Sequence, residues 1–238
     1  MIARYGRPAL LVAAAALGCG DRPAREERAG PAPATAPAGA SSADRRPAIL
    51  FLGTSLTAGY GLPTPELAYP ALIQAKLDSA GLPFRAVNAG ISGESSAGAL
   101  ARIDWLLQRE NVAVLVIETG ANDGLRGQDP DSVRGRIQAI IDRARSEARP
   151  PEIILAGMEA MPNLGEAYVR RFRGIYPELA RSNRIRLIPF ILEGVGGVDS
   201  LNQADGIHPT PEGQRIVAAN VWRVLEEVVR ERVTAPAP

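Results

Sequence analysis

Residues 48–61, AILFLGTSLTAGYG, indicate the fold, because their apolar run is the first of five along the chain. A short and nearly continuous apolar run ends at Gly53, and glycine, serine and threonine follow it directly. Comparable apolar runs occur at residues 84–87, 112–117, 153–156 and 185–188. Continuous apolar runs are typical of parallel strands that are buried on both faces. The sequence therefore predicts five such strands.

Helical patterns separate these runs. One helix face is formed by apolar residues at the spacing of a helical turn, namely Val133, Ile137, Ile140, Ile141 and Ala144. The last helix has an N-cap at Thr210 and begins at Pro211. Alternation of strands and helices implies right-handed crossovers and a parallel sheet between two helical layers. We predict an α/β fold over residues 48–232, with a three-layer α/β/α, flavodoxin-like architecture, a parallel five-stranded sheet and a C-terminal tail at 233–238.

The composition excludes several classes of function. The net charge of the 238 residues is +1, so the broad basic excess of a nucleic-acid-binding protein is absent. His208 is the only histidine and Cys19 the only cysteine. A histidine-rich zinc site needs more ligands than this, and an internal disulfide needs a second cysteine.

The first residues have the pattern of an export signal. Arg4 and Arg7 precede an apolar run at residues 8–17, which is shorter than the roughly 20 residues that span a bilayer. The run ends in Ala-Leu-Gly-Cys, which resembles a bacterial lipobox, so we predict a lipoprotein-type signal peptide at 1–19 with lipid attached to Cys19. The alternative is an ordinary signal peptide with an incidental cysteine.

The next segment has the composition of a disordered tether. Residues 20–47 contain no aromatic and no β-branched aliphatic residue, and proline, alanine, glycine and charged residues dominate them. Such a segment buries too little apolar surface to offset the entropy lost on ordering. We therefore expect an exported protein of the cell envelope or periplasm, which contacts the membrane only through its lipidated N-terminus.

The candidate catalytic residues fall after the predicted strands or just before the last helix. Parallel strands end at one edge of a sheet, and ligands of open α/β sheets bind beyond that edge. Hydrolysis of an ester needs a hydroxyl, a base, a group that orients the base and donors for the oxyanion. Ser55 offers the hydroxyl, His208 the imidazole and Asp205 the orienting carboxylate. The backbone N–H groups of Ser55 and Gly90, with the Asn122 side chain, can meet the oxyanion.

Four segments resemble conserved blocks of the SGNH, or GDSL-type, hydrolases: GTSLTAGYGLP, NAGISGESSAG, ETGANDGLRG and DGIHPTPEGQ. The resemblance is closest to the bacterial acyl-CoA thioesterase/lysophospholipase and arylesterase branch. It implies a serine esterase with a Ser55–His208–Asp205 triad, an oxyanion hole of Ser55, Gly90 and Asn122, and no cofactor. It also implies short acyl esters and thioesters as substrates. One position departs from the family, since Thr54 stands where the first block usually has aspartate. This departure predicts reduced or retuned activity, not its loss.

Other interpretations stay open at this point. Taken singly, Ser55 resembles a turn residue and Gly90 a glycine required by the backbone. Glu94, Met158 and Pro162 are candidates for the substrate pocket, although Glu94 could instead cap a helix. The alternative functions are a carbohydrate O-deacetylase and a non-catalytic, ligand-binding envelope lipoprotein, the latter favoured only by Thr54. We expect a monomer that binds a small acyl ester or thioester and no nucleic acid.

Overall fold

The computed structural model describes residues 44–234. The predicted signal peptide, Cys19, most of the predicted tether and the end of the C-terminal tail lie outside the described residues.

The described chain forms five strands, all paired in parallel in the order β2-β1-β3-β4-β5. The strands are β1 (Ala48–Gly53), β2 (Arg85–Gly90), β3 (Val112–Ile117), β4 (Glu152–Ala156) and β5 (Arg186–Ile188). The helices are α1 (Ser55–Ala58), α2 (Tyr69–Ser79), α3 (Ser96–Arg109), α4 (Ala121–Leu125), α5 (Pro130–Arg145), α6 (Glu166–Asn183) and α7 (Pro211–Thr234). Three short 3-10 segments lie at Pro65–Leu67, Pro162–Leu164 and Asp199–Leu201. The predicted parallel five-stranded sheet of flavodoxin-like order is confirmed.

Helices cover both faces of the sheet. On one side α3 contacts α5 and α5 contacts α6, while α2 contacts α7 on the other. All six residues of β1 are buried, as expected for a strand between two helical layers. The predicted inner face of α5 is fully buried at each of its five positions: Val133, Ile137, Ile140, Ile141 and Ala144. This burial explains why the apolar spacing of the sequence identifies the helices.

The ends of two elements differ from the sequence prediction. Strand β2 continues to Gly90, because its last residues still pair with β1, so Gly90 lies at the end of the strand and not in the following loop. Helix α7 continues to Thr234, beyond the predicted domain end at residue 232. Its start agrees with the prediction, since the Thr210 hydroxyl accepts a hydrogen bond from Gly213 N–H at 3.3 Å. None of the helices within residues 44–234 is long and apolar enough to cross a membrane.

Candidate active site

Ser55 is the first residue of α1 and is separated from the end of β1 only by Thr54. We call residues 53–57 the Ser55 turn. The turn is tight, because a Cβ atom at Gly53 would lie 1.9 Å from the Thr57 hydroxyl oxygen. Only glycine fits there, and its small size lets the chain reverse from strand to helix within a few residues. The serine is therefore held half-buried at the carboxyl edge of the sheet.

The imidazole of His208 lies between Ser55 and Asp205. Its Nε2 is 2.9 Å from the Ser55 hydroxyl oxygen, and its Nδ1 is 2.7 Å from an Asp205 carboxylate oxygen. The hydrogen bond with His208 and one from the Ile207 N–H lower the pKa of Asp205 to about 2. The ionised carboxylate can only accept, so Nδ1 carries the hydrogen and Nε2 of the neutral ring is free to accept from the serine.

Tyr60 and Gln203 join the Ser55 side of the site to the His208 side. The ring of Tyr60 lies 4.7 Å from the ring of His208, centroid to centroid. The Gln203 amide donates to the carbonyl oxygens of Tyr60 at 2.8 Å and Pro209 at 3.1 Å. These contacts limit the movement of the imidazole ring, although neither Tyr60 nor Gln203 belongs to the triad.

Gln214 makes a second link between the two sides. Its side chain is 1% exposed, donates to the Leu56 carbonyl oxygen at 3.3 Å and accepts from the Tyr69 N–H at 2.9 Å. Sequence reasoning missed the roles of Tyr60, Gln203 and Gln214. A tyrosine in a loop or a glutamine on an amphipathic helix carries no signal that separates it from a surface residue.

The three predicted oxyanion donors have different surroundings. Ser55 is the first residue of a helix, so its N–H has no acceptor within that helix. The N–H of Gly90 donates to the Asn88 side-chain oxygen at 2.9 Å. Gly90 must be glycine, because a Cβ there would lie 2.2 Å from the backbone nitrogen of Ala58. The Asn122 amide uses one hydrogen for the Glu94 carbonyl oxygen at 3.0 Å and has a second available.

Glu94 does not line the cavity beside Ser55, contrary to its proposed place in the substrate pocket. Its carboxylate is 8% exposed and contacts the Arg102 guanidinium at 2.6 and 2.7 Å. The same guanidinium donates to the Ala89 carbonyl oxygen at 2.6 Å. A partly buried carboxylate is most stable when it is paired, so Glu94 turns away from the cavity towards this cation.

A cavity of about 730 Å³ opens beside Ser55 and His208. Met158 and Pro162, the other two candidates for a substrate pocket, line it, and so do Ser92 and Asn122. Further apolar lining comes from Tyr60, Leu125, Met161, Phe190, Leu192 and Ile207. Met158 is 3% exposed and Met161 43% exposed, so the thioethers lie at different depths. A cavity of this size and lining suits the acyl part of an ester.

Comparison with known proteins places the chain in a family. A sequence model described as GDSL-like Lipase/Acylhydrolase family matches residues 51–216. The chain belongs to this family. The four segments that resemble blocks of the family, at residues 53–63, 88–98, 118–127 and 205–214, all fall within the match. The resemblance is therefore confirmed.

Characterised members of the GDSL-like family extend the comparison. Esterase TesA of Pseudomonas aeruginosa is 41% identical over 181 residues, which cover 76% of this chain and 89% of that protein. Thioesterase 1/protease 1/lysophospholipase L1 of Escherichia coli is 34% identical, covering 76% of this chain and 84% of that protein. Among solved structures, psychrotrophic esterase EstA from Pseudoalteromonas, inhibited by monoethylphosphonate, is 30% identical. That structure has a TM-score of 0.72 and covers 77% of this chain and 98% of its own. The chain is accordingly an esterase of the GDSL-like family.

Proposed function

We propose that the chain hydrolyses carboxylic esters and thioesters through an acyl-enzyme formed on Ser55. The observation that carries the proposal is the continuous hydrogen-bonded series from Ser55 through His208 to Asp205, with distances of 2.9 and 2.7 Å. These are the contacts through which a base activates a hydroxyl and a carboxylate orients the base. They favour catalysis over a non-catalytic ligand-binding role.

In the first half of the proposed reaction, the Ser55 hydroxyl oxygen attacks the carbonyl carbon and His208 Nε2 takes its proton. The negative charge that develops on the carbonyl oxygen is met by the Ser55 N–H and the Asn122 amide, and by the Gly90 N–H once it leaves the Asn88 side-chain oxygen. Each such donor lowers the barrier by about 3 kcal/mol in typical acyl-transfer enzymes. The bond to the alcohol or thiol then breaks, and the imidazolium returns the proton to that leaving group.

In the second half, a water molecule attacks the acyl-enzyme and His208 Nε2 takes the proton from the water. Collapse of the second tetrahedral intermediate releases the carboxylic acid and restores the Ser55 hydroxyl. Asp205 keeps the hydrogen on Nδ1 throughout and stabilises the imidazolium when it forms. The net reaction is ester plus water to acid plus alcohol, or to acid plus thiol for a thioester.

We propose that the substrates are carboxylic esters and thioesters such as short acyl esters, acyl-CoA or lysophospholipids. The apolar lining of the cavity supports this choice, since an acyl chain gains free energy when it leaves water for such a surface. The hydroxyl groups of a glycan would need polar partners in the same place. The lining therefore favours acyl esters over the deacetylation of carbohydrates.

The decisive experiment is intact-mass analysis of the full-length chain after reaction with a fluorophosphonate. The Ser55 oxygen would form a bond to phosphorus as the phosphorus–fluorine bond breaks and fluoride leaves. We expect one adduct on the wild type and none on Ser55→Ala. Ser92→Ala is the matched control, because Ser92 lines the same cavity and should leave the adduct in place. A folded wild type without an adduct, or an adduct of equal yield on Ser55→Ala, would refute the proposal.

We also propose that the chain is exported as residues 1–19 predict and that Cys19 carries lipid. We further propose that residues 20–47 tether a monomeric domain, which begins at residue 48 and includes α7 to its end at Thr234. The support is the charge and apolar pattern before Cys19 and the composition after it. Incorporation of labelled fatty acid into the wild type but not into Cys19→Ser would support the anchor. Equal incorporation, or none into either protein, would contradict it.

A further inference from the structure

A buried carboxylate lies against the Ser55 turn. It belongs to Glu118, the first residue after β3, which is fully buried. One carboxylate oxygen accepts the Thr54 N–H at 2.8 Å, and the other accepts the Thr54 hydroxyl at 3.0 Å. The Thr57 hydroxyl donates at 2.8 Å to the same carboxylate oxygen that accepts the Thr54 N–H. Glu118 thus contacts the turn both before and after Ser55.

The hydrogen bonds of this cluster are complete when Glu118 is ionised. The carboxylate only accepts, and the backbone N–H and both threonine hydroxyls point at it. The Thr57 oxygen is also 2.7 Å from the Tyr69 hydroxyl, which can donate to it while Thr57 donates to Glu118. Every polar hydrogen in the cluster then has an acceptor.

We propose that Glu118 is a positioning residue, whose carboxylate anchors the Ser55 turn on both sides of the serine and so holds its hydroxyl at hydrogen-bonding distance from His208. This inference rests on the proposed function, because it concerns the efficiency of Ser55 as a nucleophile. Glu118 touches neither the Ser55 hydroxyl nor the substrate cavity, so it acts through Thr54 and Thr57.

Charge is the property that makes Glu118 effective. Hydrogen bonds to an ionised acceptor are roughly twice as strong as those between neutral groups. Protonation would turn one carboxyl oxygen into a donor, and one of the three donors would lose its acceptor in a buried site. The Ser55 turn would then relax. Misplacing a reacting group by about 1 Å can slow an enzyme by about 100-fold.

The residues around Glu118 allow its carboxylate to gain or lose a proton near neutral pH. Burial raises the pKa of Glu118 to about 7, against the opposing effect of the hydrogen bonds from Thr54 and Thr57. The phenols of Tyr69 on α2 and Tyr176 on α6 face Glu118. Burial is the main cause that raises the pKa of both phenols, and the negative charge of Glu118 raises it further. The Arg102 guanidinium on α3 reaches the Gly53 carbonyl oxygen at 3.4 Å.

The main test is the neutral, nearly isosteric variant Glu118→Gln in the full-length chain, assayed on p-nitrophenyl butyrate. We expect kcat to fall about tenfold while KM changes little, because the loss acts on the reacting hydroxyl. The acid side of the wild-type pH–kcat profile should report two protonations, one on the imidazole base and one on Glu118. In Glu118→Gln it should report one.

Two further variants separate charge from shape. Glu110→Gln is the matched control, because Glu110 pairs with Arg85 just before β3 and lies at the opposite end of the strand. Its kcat and pH profile should equal those of the wild type. The double variant Thr54→Asp/Glu118→Gln places the carboxylate at position 54 in place of position 118. The two side chains are joined by a 3.0 Å hydrogen bond in the wild type. We expect it to recover part of kcat and the second protonation.

The inference is overturned if Glu118→Gln keeps the wild-type kcat, or if kcat falls while the acid limb still reports two protonations. Should Glu118→Gln not fold, Thr57→Val decides instead. It removes one hydrogen bond that favours the ionised form, so the acid limb should move to higher pH, and an unmoved limb contradicts the proposal. An inert wild type in the fluorophosphonate experiment would refute the proposed function itself, which keeps the two failures distinct.

Discussion

The guanidinium of Arg102 donates a 2.6 Å hydrogen bond to the carbonyl oxygen of Ala89, and that carbonyl shares a peptide unit with the N–H of Gly90. The peptide unit is planar, so holding its oxygen also fixes the direction of the N–H. Arg102 is in turn held by Glu94, whose own carbonyl oxygen accepts the Asn122 amide at 3.0 Å. One ion pair therefore supports two of the three proposed oxyanion donors.

Replacement of Arg102 by lysine should lower kcat about tenfold with little change in KM. Lysine keeps the charge but lacks the planar fork that reaches both the carboxylate and the carbonyl oxygen. Arg143→Lys is the control, because Arg143 forms an exposed pair with Asp104. Steady-state hydrolysis of p-nitrophenyl butyrate measures kcat and KM for the two variants and the wild type. A rise in KM at constant kcat would mean that Arg102 serves substrate binding.

Glu118 should make stability depend on pH in an unusual direction for a carboxylate. Its pKa is raised from 4.5 to about 7 in the folded chain, so the folded state binds this proton more tightly than the unfolded state. The stabilisation is complete below about pH 4.5 and is lost as the pH rises through about 7. The free energy of unfolding of Glu118→Gln, relative to wild type, should therefore increase by about 2–3 kcal/mol between pH 5 and pH 8. Urea denaturation at both pH values measures it, and a constant difference would contradict the assignment.

Asp205→Asn should reduce kcat by about 100-fold or more, because an amide can donate to Nδ1 and so favour the wrong tautomer of His208. The pKa of Asp205 is held at about 2 by the hydrogen bond with His208, so the wild-type carboxylate stays ionised throughout the working range. Fluorophosphonate labelling should slow in parallel. Glu212→Gln, in an exposed pair with Arg215 at the start of α7, should label at the wild-type rate.

Gln214→Leu should destabilise the fold by about 1–3 kcal/mol, because it leaves the Tyr69 N–H and the Leu56 carbonyl oxygen without their partner in a buried site. The change also removes a link between α7 and the Ser55 side of the site. Chemical denaturation measures the first effect, and kcat at a temperature well below the transition measures the second. Unchanged stability would indicate that water replaces the amide.

Met158→Trp should shorten the preferred acyl chain. Met158 is nearly fully buried, so a larger side chain there would fill the inner part of the cavity. We expect kcat/KM to fall more for p-nitrophenyl octanoate than for the acetate. Met161→Trp is the control, since Met161 is largely exposed and should change the two esters alike. An equal loss for both esters with Met158→Trp would show that the acyl chain binds elsewhere.

The sequence was sufficient for the sheet and for the order of the elements. Apolar runs at residues 48–53 and 112–117 have the composition of strands buried on both faces, and these strands are buried. The spacing of the α5 apolar residues likewise identified its inner face. The strand ends were less certain, since the last residues of β2 pair through backbone groups that leave no mark on composition.

The sequence also predicted that one edge of the sheet holds Ser55, Asn122, Asp205 and His208. Parallel strands end on the same side, and these residues follow strands or precede α7. What surrounds these residues depends on how distant elements pack against one another. The tertiary structure pairs Glu94 with Arg102. It links Gln203 and Gln214 to the Ser55 side of the site. It also places the carboxylate of Glu118 against Thr54, which is 64 positions away in the sequence. Local composition can specify a strand or a turn, but a hydrogen bond between distant positions depends on the packing of whole elements, and no short stretch of sequence records that packing.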